Sequence, residues 1–459
     1  MPTTKPETNP EQTTVVPWRL RRRTLLGGAG AIAAGSLTSG CAVSASQPAK
    51  NGKKQVTLKL LGQANEIDKD VIAGFTEQRP DIKLSITEYS WDALVSMLAA
   101  KTPPDLVRGA GATDTPYLVH RSLAEPLDDY LKSSKTITAD DLDPINDLWR
   151  YDGTTQGTGP LYGLVKDYSS DLTLWVNSQH LKAAGLKVPS SDRPLTYKQV
   201  LKLSEETVQR KSGRTRVLGF GCVFGGKPDL AWLQGMLATA DAALFNDDLT
   251  QIDLTSDAGV EALQWFVDLV KSRTTSSFLD PQATADADLY VASRVATLLS
   301  GYWTSGLIAT AKPQVQQASY LLPAPMMGTT RVSPCVAGTG FWIPKTAAHK
   351  EAAWAFMEYY FAAKPAVERA KSGWGIPGLK SLAKYLPDNE PYQKRALAVQ
   401  RDEQKYFKVL PFTPYAKADA LGTALATTFE DAVRAHRPIK DTAAAITTAL
   451  NAAIKRGKN

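Results

Sequence analysis

Residues 56–88 of the chain, VTLKLLGQANEIDKDVIAGFTEQRPDIKLSITE, contain the pattern that decides the fold. Apolar and polar residues alternate in residues 56–60 and again in residues 82–87, which is the period of a half-buried strand. Between them, residues 67–78 have the apolar spacing of a helix, and Pro80 ends it. The order strand, helix, strand predicts an α/β architecture with a largely parallel sheet.

The rest of the chain keeps this alternation and becomes richer in helix. Residues 91–100 predict a second helix, which Pro103-Pro104 ends before a short apolar run. Residues 256–270, 349–363 and 418–434 carry apolar side chains at helical spacing, and we expect those side chains in the core. The sequence has no repeat of fixed period, which argues against a solenoid or a propeller.

Length and composition predict a globular protein of more than one domain. The chain has 459 residues, of which 43% are hydrophobic and 22% charged. At roughly 100–200 residues per domain, this length predicts two or three domains. Segments rich in proline and glycine occur at residues 154–160, 323–328 and 411–414. Three such segments indicate that the chain forms two lobes and that the backbone crosses between them more than once.

The positive charge is unevenly distributed along the chain. The formal net charge is +7, which by itself is compatible with nucleic-acid binding. Five basic and two acidic residues lie within residues 1–40, so the rest of the chain carries a net charge of only +4. We therefore expect no nucleic-acid partner.

The N-terminal segment has the features of an export signal. Arg22-Arg23 precedes two leucines and a Gly/Ala-rich apolar stretch, as in a twin-arginine signal. This stretch is about half the ~20 residues that a membrane-spanning helix needs. Cys41 follows small residues and resembles the lipidated cysteine of a bacterial lipobox, although Thr38 stands where leucine is usual.

We predict a signal peptide of the twin-arginine lipoprotein type over residues 1–40, with lipidation at Cys41. Residues 41–54 are small and polar, and they predict a flexible tether between the lipid and the folded body. Simple secretion and an uncleaved anchor are the alternatives that the sequence leaves open.

The sequence does not support a metal site or a nucleotide site, since the G-x-G-x-x-A pattern of residues 28–33 lies in the N-terminal segment with no strand before it. The four histidines lie far apart, and Cys222 and Cys335 form no C-x-x-C motif, so we expect no metal and no cofactor. The two cysteines could pair in an oxidising compartment or stay as buried apolar side chains. P-loop and G-x-S-x-G motifs do not occur. Glycoside hydrolysis stays open, because it needs only two carboxylates.

Tryptophan is the residue type that carries a binding signal. Several of the ten tryptophans lie within two residues of a glycine, as in Gly301-Tyr302-Trp303 and in Gly373-Trp374-Gly375. A flat aromatic ring can stack on the apolar C–H face of a sugar while polar neighbours bind its hydroxyls. We expect the tryptophans of amphipathic segments in the core instead: Trp149, Trp232, Trp265 and Trp354.

Three neighbouring motifs resemble those of a known family. Residues 161–165 read LYGLV, residues 172–177 read LTLWVN and residues 181–186 read LKAAGL. In this order they resemble the extracellular solute-binding proteins of bacterial ABC transporters, in particular the maltodextrin-binding-like sugar group. Val165 stands in place of the usual proline, and Trp175 in place of a usual tyrosine.

Further pieces match the same group in the same order, over about residues 55–455. Each is weak alone, and their order and spacing make the set specific. They are the helix of residues 257–270, the Gly-x-Trp of residues 301–303, the Leu-Pro-x-Pro of residues 322–325, the glycine-rich residues 338–340, the helix of residues 350–357 and the loop of residues 373–377.

The resemblance implies a periplasmic-binding-protein-like fold, in which two α/β lobes are joined by a three-crossing hinge with the ligand cleft between them. The crossings are expected near residues 166–171, 321–326 and 409–413. The ranges expected for the first lobe are 55–166 plus 325–408, and those for the second are 171–321 plus 413–459.

The resemblance also implies a set of ligand-binding residues. Trp303 matches the tryptophan that stacks on a sugar from the second lobe, and Asp105 matches an aspartate of the first lobe that meets ligand hydroxyls. Trp374 lies in a loop that often faces the cleft, whereas we expect Trp342 in the core. The other candidates are Asn65, Glu66, Tyr168, Tyr415, Gly340 and Arg108, the last of which would suit an anionic ligand.

The implied function is that of a substrate-binding lipoprotein of an ABC importer. It captures a carbohydrate, for which we predict an oligosaccharide, and delivers it to transmembrane permease subunits. We expect a monomer without enzymatic activity, anchored by lipid to the outer face of the cytoplasmic membrane. Two alternatives stay open: the same fold binding a glycerophosphodiester or another polyol, and an exported glycoside hydrolase.

Overall fold

The computed structural model describes residues 55–458. It begins with β1 (Val56–Gly62), α1 (Lys69–Gln78) and β2 (Ile82–Glu88), which confirms the predicted order strand, helix, strand. The carboxylate of Asp68 caps α1 by accepting hydrogen bonds from two backbone amides of its first turn. The predicted signal peptide, the tether and Cys41 lie outside the described residues.

The remaining elements follow in chain order. The strands are β3 (Leu106–Ala110), β4 (Arg150–Tyr151), β5 (Gln156–Leu161), β6 (Gly163–Tyr168), β7 (Leu174–Asn177), β8 (Gln209–Lys211), β9 (Arg214–Cys222), β10 (Val295–Leu299), β11 (Ser319–Leu322), β12 (Thr339–Trp342) and β13 (Ile376–Pro377). The helices are α2 (Trp91–Ala99), α3 (Gly111–His120), α4 (Asp128–Ser133), α5 (Ser178–Ala183), α6 (Tyr197–Thr207), α7 (Leu230–Thr239), α8 (Asp257–Ser272), α9 (Asp286–Val291), α10 (Thr304–Ile308), α11 (Pro313–Ala318), α12 (Lys350–Ala362), α13 (Lys364–Ser372), α14 (Pro391–Glu403), α15 (Ala418–Arg434) and α16 (Ile439–Lys458). Short 3-10 helices occur at Ala139–Asp141, Pro144–Trp149, Lys380–Tyr385 and Gln404–Tyr406.

The strands form two main sheets and one small hairpin. The first sheet has the strand order β13-β6-β12-β3-β1-β2, and the second has the order β11-β7-β10-β9-β8. β4 and β5 pair separately as the hairpin. Each main sheet is covered by helices, so each forms the centre of one α/β lobe.

The prediction of a largely parallel sheet is wrong, because both sheets are mixed. In the first sheet β1 runs parallel to β2 and β3, but β12 is antiparallel to both β3 and β6. A parallel neighbour needs a crossover that returns the chain to the same end of the sheet. β12 instead enters from the other lobe, and its first residue Thr339 pairs with Ala110, the last residue of β3.

The chain crosses between the sheets three times. The first crossing, residues 169–173, joins β6 to β7, and the second, residues 323–338, joins β11 to β12. The third, residues 407–417, leads to α15 and α16, which pack against α7 and α8 of the second lobe. The fold is therefore a pair of α/β lobes joined by three crossings, as predicted.

Helix α14 lies within residues 325–408, the range expected for the first lobe, but it packs against β11 of the second sheet. The Arg395 guanidinium donates to the carbonyls of Gln317 and Ser319 at 3.2 and 3.1 Å. Apolar side chains of α14, including Tyr392 and Leu397, are buried. The helix therefore belongs by its contacts to the second lobe.

The tryptophans that we expected in the core are buried, and so is Trp342. Cys222 and Cys335 are both buried and are free thiols, so of the two alternatives the structure shows buried side chains without a disulfide. None of the helices within residues 55–458 is long and apolar enough to span a membrane.

Candidate ligand-binding site

A cavity of about 210 Å³ lies where the first and second crossings meet the edges of both sheets. Its walls come from the ends of β1, β3 and β6, from the start of β12, and from the loops that follow β10 and precede β13. The lining residues are Glu66, Arg108, Lys166, Asp167, Tyr168, Ser169, Asp171, Trp303, Ala337, Gly338, Thr339, Arg369 and Trp374. The cavity thus lies between the two lobes.

Two tryptophans form the aromatic wall of the cavity. The rings of Trp303 and Trp374 are almost parallel, with an interplanar angle of 9° and centroids 6.0 Å apart. Trp303 follows β10 of the second lobe, and Trp374 precedes β13 of the first lobe. Both side chains are partly exposed, so a ring face remains accessible from the cavity.

The glycines beside these tryptophans set the shape of both loops. A Cβ atom at Gly301 would lie 2.0 Å from Ser169 Oγ, so only glycine permits this close approach of the Trp303 loop to the first crossing. Trp175 Nε1 donates to the Gly301 carbonyl at 3.0 Å and holds the loop from the other side. Gly373 ends α13 in the left-handed conformation, with φ +74°.

A chain of charged side chains forms the polar wall. Glu66 accepts two hydrogen bonds from Arg108, at 2.9 and 3.1 Å, and one from the Lys166 ammonium at 2.5 Å. Arg369 Nε donates to Asp167 at 2.6 Å. Lys166 lies 3.7 Å from Asp167 and so joins the two groups of ion pairs. Cations and carboxylates alternate through this network.

Glu66 is the centre of that network. Burial by itself would raise the pKa of its carboxyl, but the Lys166 ammonium and the Arg108 guanidinium outweigh burial and lower the pKa to about 2. Glu66 is therefore ionised throughout the physiological range. It offers a fixed acceptor flanked by fixed donors.

This pKa predicts a loss of stability in acid that depends on Glu66. A lowered pKa in the folded state contributes stability above the unfolded value of 4.5, and this contribution is lost as the pH falls towards 2. We expect wild type to exceed Glu66→Gln in unfolding free energy at pH 7. This difference in unfolding free energy between the two proteins should become smaller by about 3 kcal/mol between pH 5 and pH 2. Urea unfolding of both proteins at several pH values measures the difference. If it does not depend on pH, Glu66 does not have the lowered pKa.

Asp171 connects the cavity to the hinge. Its carboxylate accepts from Ser169 Oγ at 2.6 Å, within the first crossing, and from the Val336 amide at 2.8 Å, within the second. Burial raises the pKa of this carboxyl, and the hydrogen bonds oppose that shift. The side chain thus ties two crossing segments together beside the ligand space.

The structure brings five of the nine predicted binding residues to the cavity. They are Trp303, Trp374, Glu66, Arg108 and Tyr168. The Tyr168 hydroxyl is paired with the Gln404 amide, so this residue presents mainly its ring. Arg108, considered for an anionic ligand, is held in a two-point contact by Glu66.

The other four lie outside the cavity. The buried carboxylate of Asp105 accepts hydrogen bonds from the backbone amides of Lys59, Ala348 and His349, at 2.9 to 3.1 Å, and so joins three chain segments of the first lobe. Asn65 lines a neighbouring surface recess. The ring of Tyr415 packs edge-on against His120. Gly340 lies within β12. A Cβ at Gly340 would lie 1.7 Å from the Leu164 carbonyl oxygen, so close strand packing explains this glycine.

Four charged residues that line the cavity were not predicted as binding residues: Lys166, Asp167, Asp171 and Arg369. Lys166 and Asp167 follow the LYGLV motif directly and Asp171 lies six residues after it, so the continuation of the motif into the first crossing was an available signal. Arg369 lies on α13, 202 positions from its partner Asp167, and nothing local marks it. Within residues 55–458 no group of three or more His, Cys, Asp or Glu side chains is placed to hold a metal ion.

Two α/β lobes, three crossings and a cavity between the lobes define a hinged binding protein. Residues 70–400 match the family of bacterial extracellular solute-binding proteins, and the chain belongs to this family. This membership places the chain outside the cytoplasm. A search of curated proteins found no match.

Solved structures with the same fold come from several bacteria. The chain is similar to an ABC substrate-binding protein of Listeria monocytogenes in complex with cycloalternan (19% identity, TM-score 0.71, 87% of this chain and 99% of that chain). It is also similar to a solute-binding protein of Thermotoga lettingae bound with α-D-tagatose (20%, 0.71, 88% and 100%). A third is the maltose/maltodextrin-binding domain of Bdellovibrio bacteriovorus bound to maltotriose (16%, 0.67, 87% and 100%). At these identities the likeness shows the two-lobed fold.

Proposed function

We propose that this chain is the substrate-binding component of an ABC importer and captures an oligosaccharide between its lobes. The observation that carries the proposal is the meeting, in one cavity, of the Trp303 ring and a network of charged hydrogen-bonding groups. A sugar has an apolar C–H face and a rim of hydroxyls, so it needs a flat aromatic ring and closely spaced donors and acceptors. The fold relatives bound to cycloalternan, tagatose and maltotriose support this ligand class.

The charge of the cavity favours a neutral ligand. Its lining contains three cationic side chains and three carboxylates, and each cation is already within ion-pair distance of a carboxylate. A phosphate would have to displace Glu66 from Arg108 and leave a partly buried carboxylate without its partners, which is costly. Sugar hydroxyls can use the remaining N–H groups and lone pairs without breaking an ion pair.

The size of the cavity indicates how an oligosaccharide would lie. At about 210 Å³ it is smaller than the roughly 300–1,000 Å³ of pockets that enclose a drug-sized ligand. We infer that it holds one end of the glycan and that further rings extend along the cleft. Hinge closure then removes the bound end from water, so that its hydrogen bonds form in a drier environment.

The same proposal covers delivery and location. The closed form presents a surface to the transmembrane permease subunits, and the protein acts as a monomer without enzymatic activity. After twin-arginine export, Cys41 carries the lipid that anchors the protein to the outer face of the cytoplasmic membrane. The lobes comprise the ranges predicted from the sequence, except that α14 joins the second lobe on its contacts with β11.

Calorimetric titration of residues 42–459 against a ligand panel tests the proposed function. The panel contains neutral mono- and oligosaccharides and a glycerophosphodiester, and the same samples are assayed for release of sugar from glycosides. We expect saturable 1:1 binding of an oligosaccharide and no turnover. Binding of the glycerophosphodiester alone, or turnover that a single carboxylate substitution abolishes, would overturn the proposal.

A further inference from the structure

Trp374 is in contact with three other groups of the protein besides facing the cavity. One neighbour is the nearly parallel ring of Trp303, and the Arg369 guanidinium carbon lies 5.1 Å from the Trp374 ring centroid. A third is Gly306 of α10, where a Cβ atom would lie 2.7 Å from Trp374 Cδ1. The side chain therefore fits into a place that the second lobe provides.

The contacts of Trp374 join the two lobes. Trp374 itself lies between α13 and β13 of the first lobe, whereas Trp303 and Gly306 lie at the start of α10 and within it, in the second lobe. A stack between these rings exists only while the lobes are together. Hinge opening would separate the rings and expose both faces to water.

We propose that Trp374, Trp303 and Gly306 form an interlobe clasp that sets how much of the protein is closed. In this role Trp374 is a positioning residue, while Trp303 contributes one ring face to the clasp and leaves its other surface to the ligand. An aromatic pair contributes enough free energy to shift a two-state equilibrium severalfold. The link to affinity rests on the proposed function, whereas the clasp itself concerns the protein without ligand.

The variant Gly306→Ala tests the clasp without changing a lining residue of the cavity. Its added methyl group must displace the Trp374 ring, because 2.7 Å is too short for a carbon–carbon contact. Alanine suits the helical position at least as well as glycine, so α10 itself should persist. Gly422→Ala is the matched control, because this α15 glycine has nothing within 4 Å of the added atom.

Three measurements are made on wild type, Gly306→Ala, Trp374→Leu and the control. Far-ultraviolet circular dichroism, taken as the difference from wild type, reports the indole coupling of the Trp303–Trp374 pair, because the Trp232–Trp265 pair contributes equally to all four spectra. Small-angle scattering reports the radius of gyration, and both measurements are made without ligand. Calorimetry reports the affinity for the saccharide that wild type binds. We expect Gly306→Ala and Trp374→Leu to lose the part of the couplet that comes from the Trp303–Trp374 pair, to have a larger radius of gyration and to bind about two- to tenfold more weakly. Gly422→Ala should match wild type in all three.

The outcomes separate the clasp from the proposed function. If both test variants keep the wild-type radius of gyration, the clasp is refuted whatever the affinity. A far-ultraviolet spectrum that Trp374→Leu changes but Gly306→Ala leaves as in wild type would equally refute it, because the stack would then persist without Gly306. If no saccharide binds any of the four proteins, the proposed function fails, and the two ligand-free measurements still decide the clasp.

Discussion

Replacing Trp303 with alanine is expected to weaken saccharide binding by about 2 kcal/mol, roughly thirtyfold. The substitution removes the flat surface on which the C–H face of a sugar ring would lie, and it also removes the partner of Trp374. Both losses act in the same direction. Calorimetry with the tightest-binding saccharide measures the effect, and unchanged affinity would remove Trp303 from the site.

Trp303→Phe is the matched control for this prediction. Phenylalanine keeps an aromatic ring at the same position, with less area, and we expect it to recover part of the lost affinity. Because the Trp303 side chain is only partly buried, both variants should keep wild-type thermal stability to within a few degrees. A common loss of stability in the two variants would show that folding, and not binding, had changed.

Replacing Glu403 with alanine is expected to lower the free energy of unfolding by about 3 kcal/mol. Glu403 is fully buried at the hinge, where it accepts from Arg331 at 2.5 Å and from the Ala324 amide at 3.1 Å. The Arg331 guanidinium also lies 3.9 Å from the Tyr406 ring centroid. Without Glu403, a backbone amide of the second crossing loses its partner, and the largely buried Arg331 guanidinium is left with the partly exposed carboxylate of Asp402.

Asp402→Asn is the matched control, because Asp402 is the other acidic partner of Arg331. It lies 3.0 Å from the same guanidinium, but its side chain is 35% exposed, so its ion pair is solvated. We expect this variant to lose less than about 1 kcal/mol. Urea unfolding of the two variants and wild type measures both values. Equal losses in the two would contradict the assignment of Glu403 as the buried hinge anchor.

The fold could be predicted from the sequence where the signals are local. Alternating residues at 56–60 and 82–87 were sufficient for β1 and β2, and Pro80 marked the end of α1. The predicted strand direction was wrong, because β12 reaches the first sheet from the hinge and no residue within it records that route. The contacts of α14 with β11, which the predicted lobe ranges do not include, likewise join segments far apart in the chain.

The part of the site that could be predicted from the sequence is the part that local features mark. Trp303 and Trp374 stand beside glycines, a local feature that reflects tight loops at a cleft. Asp105 was expected at the ligand, but its role depends on amides of residues 348 and 349, more than 240 positions away. The ion-pair network could not be predicted either, because a single residue such as Glu66 acquires its low pKa only from partners that folding brings to it.

A crystal structure of the protein grown with its tightest-binding saccharide tests the central claim most directly. We expect a sugar ring stacked on Trp303, with hydroxyls hydrogen-bonded to Glu66 or to its partners Arg108 and Lys166, and with the ion pairs of that network intact. A saccharide bound elsewhere on the chain, with this cavity holding only water, would contradict it.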